Sequence, residues 1–251
     1  MLIVEGDGPV LQITLNRPDV RNAFNDELIA ALAAAFQTVP SHTRAIVIAG
    51  KGPAFCAGGD LQWMRVAASY TEEQNYEDAL GLAKLYHSIA TCPAVVIAKV
   101  DGPAFGGGCG LVAASDIAIA SEKALFAFSE VRLGLVPATI SPYVIAKIGH
   151  GQARALFVTG EAFGGDHALR IGLIQEVTSS EQLDEAVERK IKAILGAGPK
   201  AVSDSKRLAQ AAPLGMEDAA RLLASVRSGA EAREGVSAFL DRRAPNFKVE
   251  R

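Results

Sequence analysis

The sequence predicts an α/β fold followed by a helical C-terminal part. Two patterns carry that expectation. The first half alternates short, β-branched apolar runs with amphipathic stretches of helical period, an order that calls for crossover connections around a parallel sheet. From about Ser141 the strand-like runs give way to successive helical stretches. Composition bounds the class: of 251 residues, 49% are apolar and 21% charged, with a mean hydropathy of +0.20. A chain of that kind can bury a large core, and it is not a disordered chain, a collagen-like fibre or a disulfide scaffold.

The elements follow in order. Val10 to Leu15 has the pattern of a strand, closed by the turn Asn16-Arg17-Pro18-Asp19. Asn25 caps the next helix, whose first turn holds Asp26 and Glu27, where the helix dipole favours negative charge. Residues 44–49 (RAIVIA) and 94–100 (AVVIAKV) are nearly continuous apolar runs, suited to strands covered on both faces. Between them Thr71 caps a helix with Leu82, Leu85, Tyr86 and Ile89 on one stripe, stopped by Pro93. Residues 116–120 (DIAIA) make a further strand. Later, Ser179 and Gln182 have the spacing of a capping box, followed by the stripe Leu183, Val187, Ile191 and Leu195. Gly196 to Pro199 ends that helix, and three more helical stretches run to about Leu240. The expected division is therefore a core over 1–195 and a helical part over 196–251.

Charge and cysteine usage narrow the function. Twenty-five Lys and Arg against 28 Asp and Glu give a net charge of −3, so no basic excess exists to neutralise a nucleic-acid backbone. Three cysteines (Cys56, Cys92, Cys109) without a CxxC pair fit reduced thiols and a cytoplasmic setting. The four histidines are scattered without metal-ligand spacing, so no metal is expected. No secretory pattern opens the chain, and no apolar run reaches the ~18 residues a membrane span needs, so no membrane partner is expected.

Three segments carry candidate chemistry. Gly52-Pro53-Ala54-Phe55-Cys56-Ala57-Gly58-Gly59-Asp60 lies where a strand passes into a helix, and its small residues leave main-chain N–H groups bare to a ligand oxygen. A tight turn is the simpler account of it. In the second, residues 101–110 (DGPAFGGGCG), a glycine run opens a helix, whose N-terminus can stabilise a phosphate, a carboxylate or an enolate oxygen. Residues 108–113 also fit the loose dinucleotide pattern G-x-G-x-x-A, with Glu130 about twenty residues on. That fingerprint should follow the first strand at once, however, and this segment lies deep in the chain. The third segment sets Glu130 among apolar residues (FAFSEVRLGLVP). Burial there would raise the carboxyl pKa, as a general acid/base needs. The competing reading pairs Glu130 with Arg132 on a wet face.

Together these motifs resemble the enoyl-CoA hydratase/isomerase (crotonase) family across nearly the whole chain. The resemblance runs through Leu15-Asn16-Arg17-Pro18, Asn22-Ala23, Phe55 to Leu61 and Gly106 to Cys109. It continues through Asp116-Ile117-Ala118, Ser129-Glu130, Thr159-Gly160-Glu161, Gly172-Leu173-Ile174 and the tail from Glu234 to Lys248. It implies a crotonase-like ββα spiral core, a C-terminal trimerisation part, and a homotrimer or homohexamer. The implied substrate is an acyl-CoA thioester from fatty-acid or amino-acid breakdown, with coenzyme A arriving on the substrate and no separate cofactor. By position, the resemblance assigns the oxyanion hole to the N–H groups of Gly59 and Gly107. Arg17, Val20, Arg21, Ala23, Ala57, Asp60, Leu61 and Gly110 would line the substrate and CoA site, with Phe239 and Lys248 reaching the CoA site of the same or a neighbouring subunit.

One departure bears on mechanism. Hydratases of the family hold a water between two glutamates; Glu130 matches the second, and Gly110 stands at the position of the first. A single carboxylate suffices for isomerisation, because one base can move a proton between two carbons. Residues 129–143 nevertheless look most like bacterial hydratases of the methylglutaconyl-CoA type. The expectation is a hydratase, a lyase, with Δ3-Δ2-enoyl-CoA isomerase as the alternative. A non-catalytic acyl-CoA binder is the reading from another class.

Overall fold

The computed structural model describes residues 1–6 and 8–250. In chain order the elements are β1 (Leu2–Glu5), β2 (Val10–Leu15), α1 (Asp26–Gln37), β3 (Ala45–Gly50), α2 (Leu61–Ala67), α3 (Glu72–Thr91), β4 (Val95–Val100), β5 (Ala104–Phe105), α4 (Gly107–Ala114), β6 (Ile117–Ser121), β7 (Leu125–Ala127), α5 (Ser141–Thr159), β8 (Ala162–Gly164), α6 (Gly165–Ile171), β9 (Glu176–Thr178), α7 (Leu183–Gly196), α8 (Pro199–Gln210), α9 (Met216–Ser228) and α10 (Ala230–Leu240). Six strands form one sheet in the order β1-β2-β3-β4-β6-β9, antiparallel only at β1 and β2. A small second sheet, β5-β7-β8, carries the segment just before the glycine run.

The near-continuous apolar strands are explained by two covered faces. Successive residues point to opposite sides of a strand, so Ile46, Ile48, Val96 and Ala98 join a core with α1, α3, α4 and α5. Their neighbours Ala45, Val47, Val95 and Ile97 meet Leu183, Val187, Ile191 and Leu195 of α7 on the other side. Asn25 caps α1 by accepting from the Leu28 N–H at 3.0 Å.

Two charged groups fasten the C-terminal part to the sheet. Lys206 of α8 donates to Asp116 at 2.7 Å and to the Ala94 carbonyl at 3.2 Å, while the Val96 N–H donates to the same carboxylate at 2.7 Å. The Arg44 guanidinium donates to the carbonyls of Ile194, Leu195 and Phe247, and so ties the end of α7 to the tail.

Two expectations are corrected here. Ser179 and Gln182 form no capping box: a short 3-10 turn over Ser180–Gln182 precedes α7, and neither residue caps it by its side chain. A full capping box occurs instead at Thr71 and Gln74, at the start of α3. The region after Ser141 is also not helix alone. β8 completes the small sheet, and β9 adds an edge strand to the large one.

Candidate active site

Two glycine-containing segments are zipped side by side. The Cys56 N–H donates to the Pro103 carbonyl at 3.1 Å, and the Phe105 N–H donates to the Cys56 carbonyl at 2.9 Å. This approach needs Gly108, where a Cβ would lie 2.4 Å from the Cys56 carbonyl oxygen. Phe24 adds a third strand-like contact: its N–H donates to Gly58 at 2.7 Å, and its carbonyl accepts from the Asp60 N–H at 2.8 Å. Those bonds engage the residues on either side of Gly59. The Gly59 N–H itself donates to no acceptor among the described residues.

Gly107 is the first residue of α4, so its N–H has no acceptor within the helix, and none outside it among the described residues. The Phe24 ring and the Tyr86 hydroxyl stand 2.7 and 2.9 Å from the point where a Gly107 Cβ would lie. Phe24 therefore meets both glycines, one through its backbone and the other through its ring. Tyr86 donates from its hydroxyl to the Gly107 carbonyl at 2.9 Å.

Glu130 stands beside this pair on a 3-10 turn, Ser129–Leu133. Its Oε1 lies 3.2 Å from the point where a side chain at Gly106 would begin, and its Oε2 is buried without a hydrogen-bond partner. No ion pair joins it to Arg132 or to any other described cation, which removes the wet-face reading. Burial raises its pKa above the ordinary carboxylate value, only partly offset by its own backbone N–H.

The remaining predicted residues separate into groups. Arg17 and Asp60 form an ion pair at 2.9 Å, and Arg17 also donates to the Ala23 carbonyl. Asp60 accepts from the Gln62 N–H at 2.8 Å and so caps α2. Burial alone would raise the Asp60 carboxyl, but the Gln62 N–H, Arg17 and the Trp63 N–H together hold it below its ordinary value. Ala57 donates to the Arg21 carbonyl at 3.0 Å, so the 17–23 and 57–60 segments around Gly59 are bonded to each other at Arg17–Asp60 and at Arg21–Ala57. Val20 and Leu61 are exposed on their rim. Phe239 and Lys248 lie apart in the C-terminal part, with no hydrogen bond or ion pair to these segments among the described residues.

Gly110 is buried inside α4. A Cβ there would lie 2.4 Å from Ile140 Cγ2 and 2.6 Å from Tyr86 Cζ, so these two side chains occupy the space a glutamate would enter. Phe24 and Tyr86 are the residues sequence reasoning missed at this site. Tyr86 was legible only as one member of an apolar stripe.

A chain with the Gly59 and Gly107 N–H groups unpaired among the described residues, and with a buried Glu130 carboxyl against Gly106, matches the family model for enoyl-CoA hydratase/isomerase over residues 5–250. The chain belongs to the enoyl-CoA hydratase/isomerase family. It is 32% identical to the 2,3-dehydroadipyl-CoA hydratase of Escherichia coli strain K12, covering 98% of each chain. With the crotonyl-CoA hydratase of Syntrophomonas wolfei it shares 31% identity over 98% of this chain and 97% of the other. The crystal structure of an enoyl-CoA hydratase/isomerase from Marinobacter aquaeolei superposes with a TM-score of 0.92 at 34% identity, covering 99% of both chains. The fold is accordingly crotonase-like, and the chain is an enzyme of this family. No helix is long and apolar enough to cross a membrane.

Proposed function

We propose that this family member hydrates the α,β-double bond of an enoyl-CoA thioester, with Glu130 as acid/base and the Gly59 and Gly107 N–H groups as the oxyanion hole. The observation that carries this reading is the buried Glu130 carboxyl, its Oε2 unpartnered and its Oε1 3.2 Å from where a side chain would begin at Gly106, the residue just before Gly107. In the forward step Glu130 takes a proton from water as the water oxygen bonds to the β-carbon. The π electrons move onto the thioester oxygen, forming an enolate that accepts from both glycine N–H groups. The enolate then collapses as a proton is delivered to the α-carbon, so one carboxyl serves twice. Each oxyanion donor in such a site is worth about 3–4 kcal/mol of transition-state stabilisation.

The names of the hydratase relatives support hydration. The acyl group proposed is of the methylglutaconyl-CoA kind, on the resemblance of residues 129–143. The loops around Arg17, Val20, Arg21, Ala23, Ala57, Asp60 and Leu61 would receive the CoA moiety, and the reading needs no cofactor beyond the CoA on the substrate. Residues 196–251 are proposed as the assembly part of a cytoplasmic homotrimer or homohexamer. Exposed apolar residues on α9 and α10, such as Met216, Leu223 and Phe239, support that role.

One observation favours a second reading. With Tyr86 and Ile140 filling the space at Gly110, Glu130 is the one carboxyl of the family pair, and a single carboxylate suits Δ3-Δ2-enoyl-CoA isomerisation. A panel of crotonyl-CoA, 3-methylglutaconyl-CoA and a 3-enoyl-CoA tests both. Hydration of either 2-enoyl substrate with no conversion of the 3-enoyl substrate supports the proposal, and the reverse pattern establishes the isomerase.

A further inference from the structure

We infer that Tyr86 is a positioning residue for the Gly107 N–H, acting from the volume that a glutamate at position 110 would need. The inference rests on the oxyanion role proposed for Gly107. The Gly107 N–H belongs to a peptide group flanked by two others, and both neighbours are pinned. Upstream, the Gly106 N–H donates to the Ala127 carbonyl at 2.8 Å. Downstream, the Gly107 carbonyl accepts from the Tyr86 hydroxyl at 2.9 Å. Gly106 has φ +48° and Gly107 has no Cβ, so the backbone here is permissive, and the intervening peptide carries one bond of its own, a long one of 3.2 Å from the Gly110 N–H to the Gly106 carbonyl. The two flanking bonds, 2.8 and 2.9 Å long, act with that bond and with the Phe24 ring against Gly107 to set the aim of the N–H.

Tyr86 is itself held firmly. It is fully buried on α3, and its ring packs 6.2 Å from that of Tyr143 at a 54° tilt. Burial first, and then nearby Cys56, Glu130 and Cys109, push its pKa well above 10, so the hydroxyl stays protonated and donates. Its Cζ and Cε1 would lie 2.6 and 2.7 Å from a Cβ at Gly110. The residue that excludes a carboxylate from position 110 is thus the one that anchors the Gly107 peptide. Packing alone would be met by phenylalanine at 86; the hydroxyl needs a separate reason.

The test is Tyr86→Phe, which keeps the ring and removes the bond. Two readouts are taken: kcat and KM on crotonyl-CoA, and the enolate absorbance of bound acetoacetyl-CoA, which reports the oxyanion hole without turnover. The expected result is a weaker enolate band and a kcat lower by about tenfold, short of the 10²–10³-fold that losing a donor outright brings. KM and melting temperature should stay close to those of the unaltered protein. Tyr143→Phe is the control, since it alters the same ring pair without a bond to Gly107, and it should retain both kcat and the band. A full band and full kcat in Tyr86→Phe overturn the inference, as does an equal loss in Tyr143→Phe. If no enoyl-CoA is turned over at all, the proposed hydration fails, yet the band still decides for or against Tyr86. Absence of the band in the unaltered protein overturns the oxyanion reading and this inference with it.

Discussion

Position 110 offers a perturbation whose cost can be worked from distances. A Cβ added there lies 2.4 Å from Ile140 Cγ2 and 2.6 and 2.7 Å from two Tyr86 ring atoms, against an ordinary contact of 3.4–4 Å. Both neighbours are buried, at 1% and 0% exposure. Overpacking of this kind costs about 1–3 kcal/mol, and alanine recovers up to ~1 kcal/mol through its helix propensity. Contacts this short put the cost in the upper half of that range, so Gly110→Ala should lose about 1–3 kcal/mol net, a fall of about 2–12 °C in Tm for a chain near this size. Thermal unfolding followed by circular dichroism reads it. Gly110→Glu should fare worse, because it adds a larger, charged side chain to space already filled by Ile140 and Tyr86, and it should not raise crotonyl-CoA hydration. An unchanged or higher Tm for Gly110→Ala would refute the packing argument. A faster Gly110→Glu enzyme would show that Tyr86 and Ile140 yield.

Other consequences follow from the same geometry. Gly59→Pro removes the N–H at a position where the nearest atoms to a Cβ are the flexible Met64 side chain, at 3.2 Å, and the Trp63 ring, at 3.4 Å. The protein should stay soluble while kcat falls about 10²–10³-fold, as measured on the substrate identified by the panel. Glu130 works as a base only when ionised, and burial raises its pKa, so kcat/KM should fall as pH drops through a value above its ordinary 4.5. A pH–rate profile with its acid limb at or below 4.5 would contradict that environment. Asp60 behaves oppositely: its folded pKa is depressed, so its contribution to stability is present above the unfolded value of about 3.9 and is lost as pH falls through the lowered one. Circular dichroism across the acid limb should accordingly show a folded protein.

Strands β2, β3, β4 and β6 were legible because each is a short, mostly apolar run rich in β-branched residues, and the structure shifts their expected ends by a residue or less. β5, β7, β8 and β9 are two or three residues long, too short for any periodicity to register. Spacing alone misplaced the capping box: Ser179 precedes a 3-10 turn, whereas Thr71 enters α3 directly. At the site, Glu130 stood out because a carboxyl among apolar residues needs a reason. Tyr86 did not, since an aromatic residue on a buried stripe is ordinary. Its bond to Gly107 spans 21 residues, and only the packing of α3 on α4 creates it. The Arg17–Asp60 pair, 43 residues apart, was hidden for the same reason.

The central claim is that one buried carboxyl performs the proton transfers, and Glu130→Gln tests it most directly. The change keeps the shape of the side chain and removes its ability to accept a proton. On the substrate that the panel identifies, kcat should fall by about 10²–10⁴-fold, the usual worth of general acid/base catalysis. Acyl-CoA affinity, measured by calorimetry with a saturated acyl-CoA, should hardly change, because the glycine donors and the loops around Arg17 and Asp60 are untouched. Near-normal turnover by folded Glu130→Gln would contradict the account.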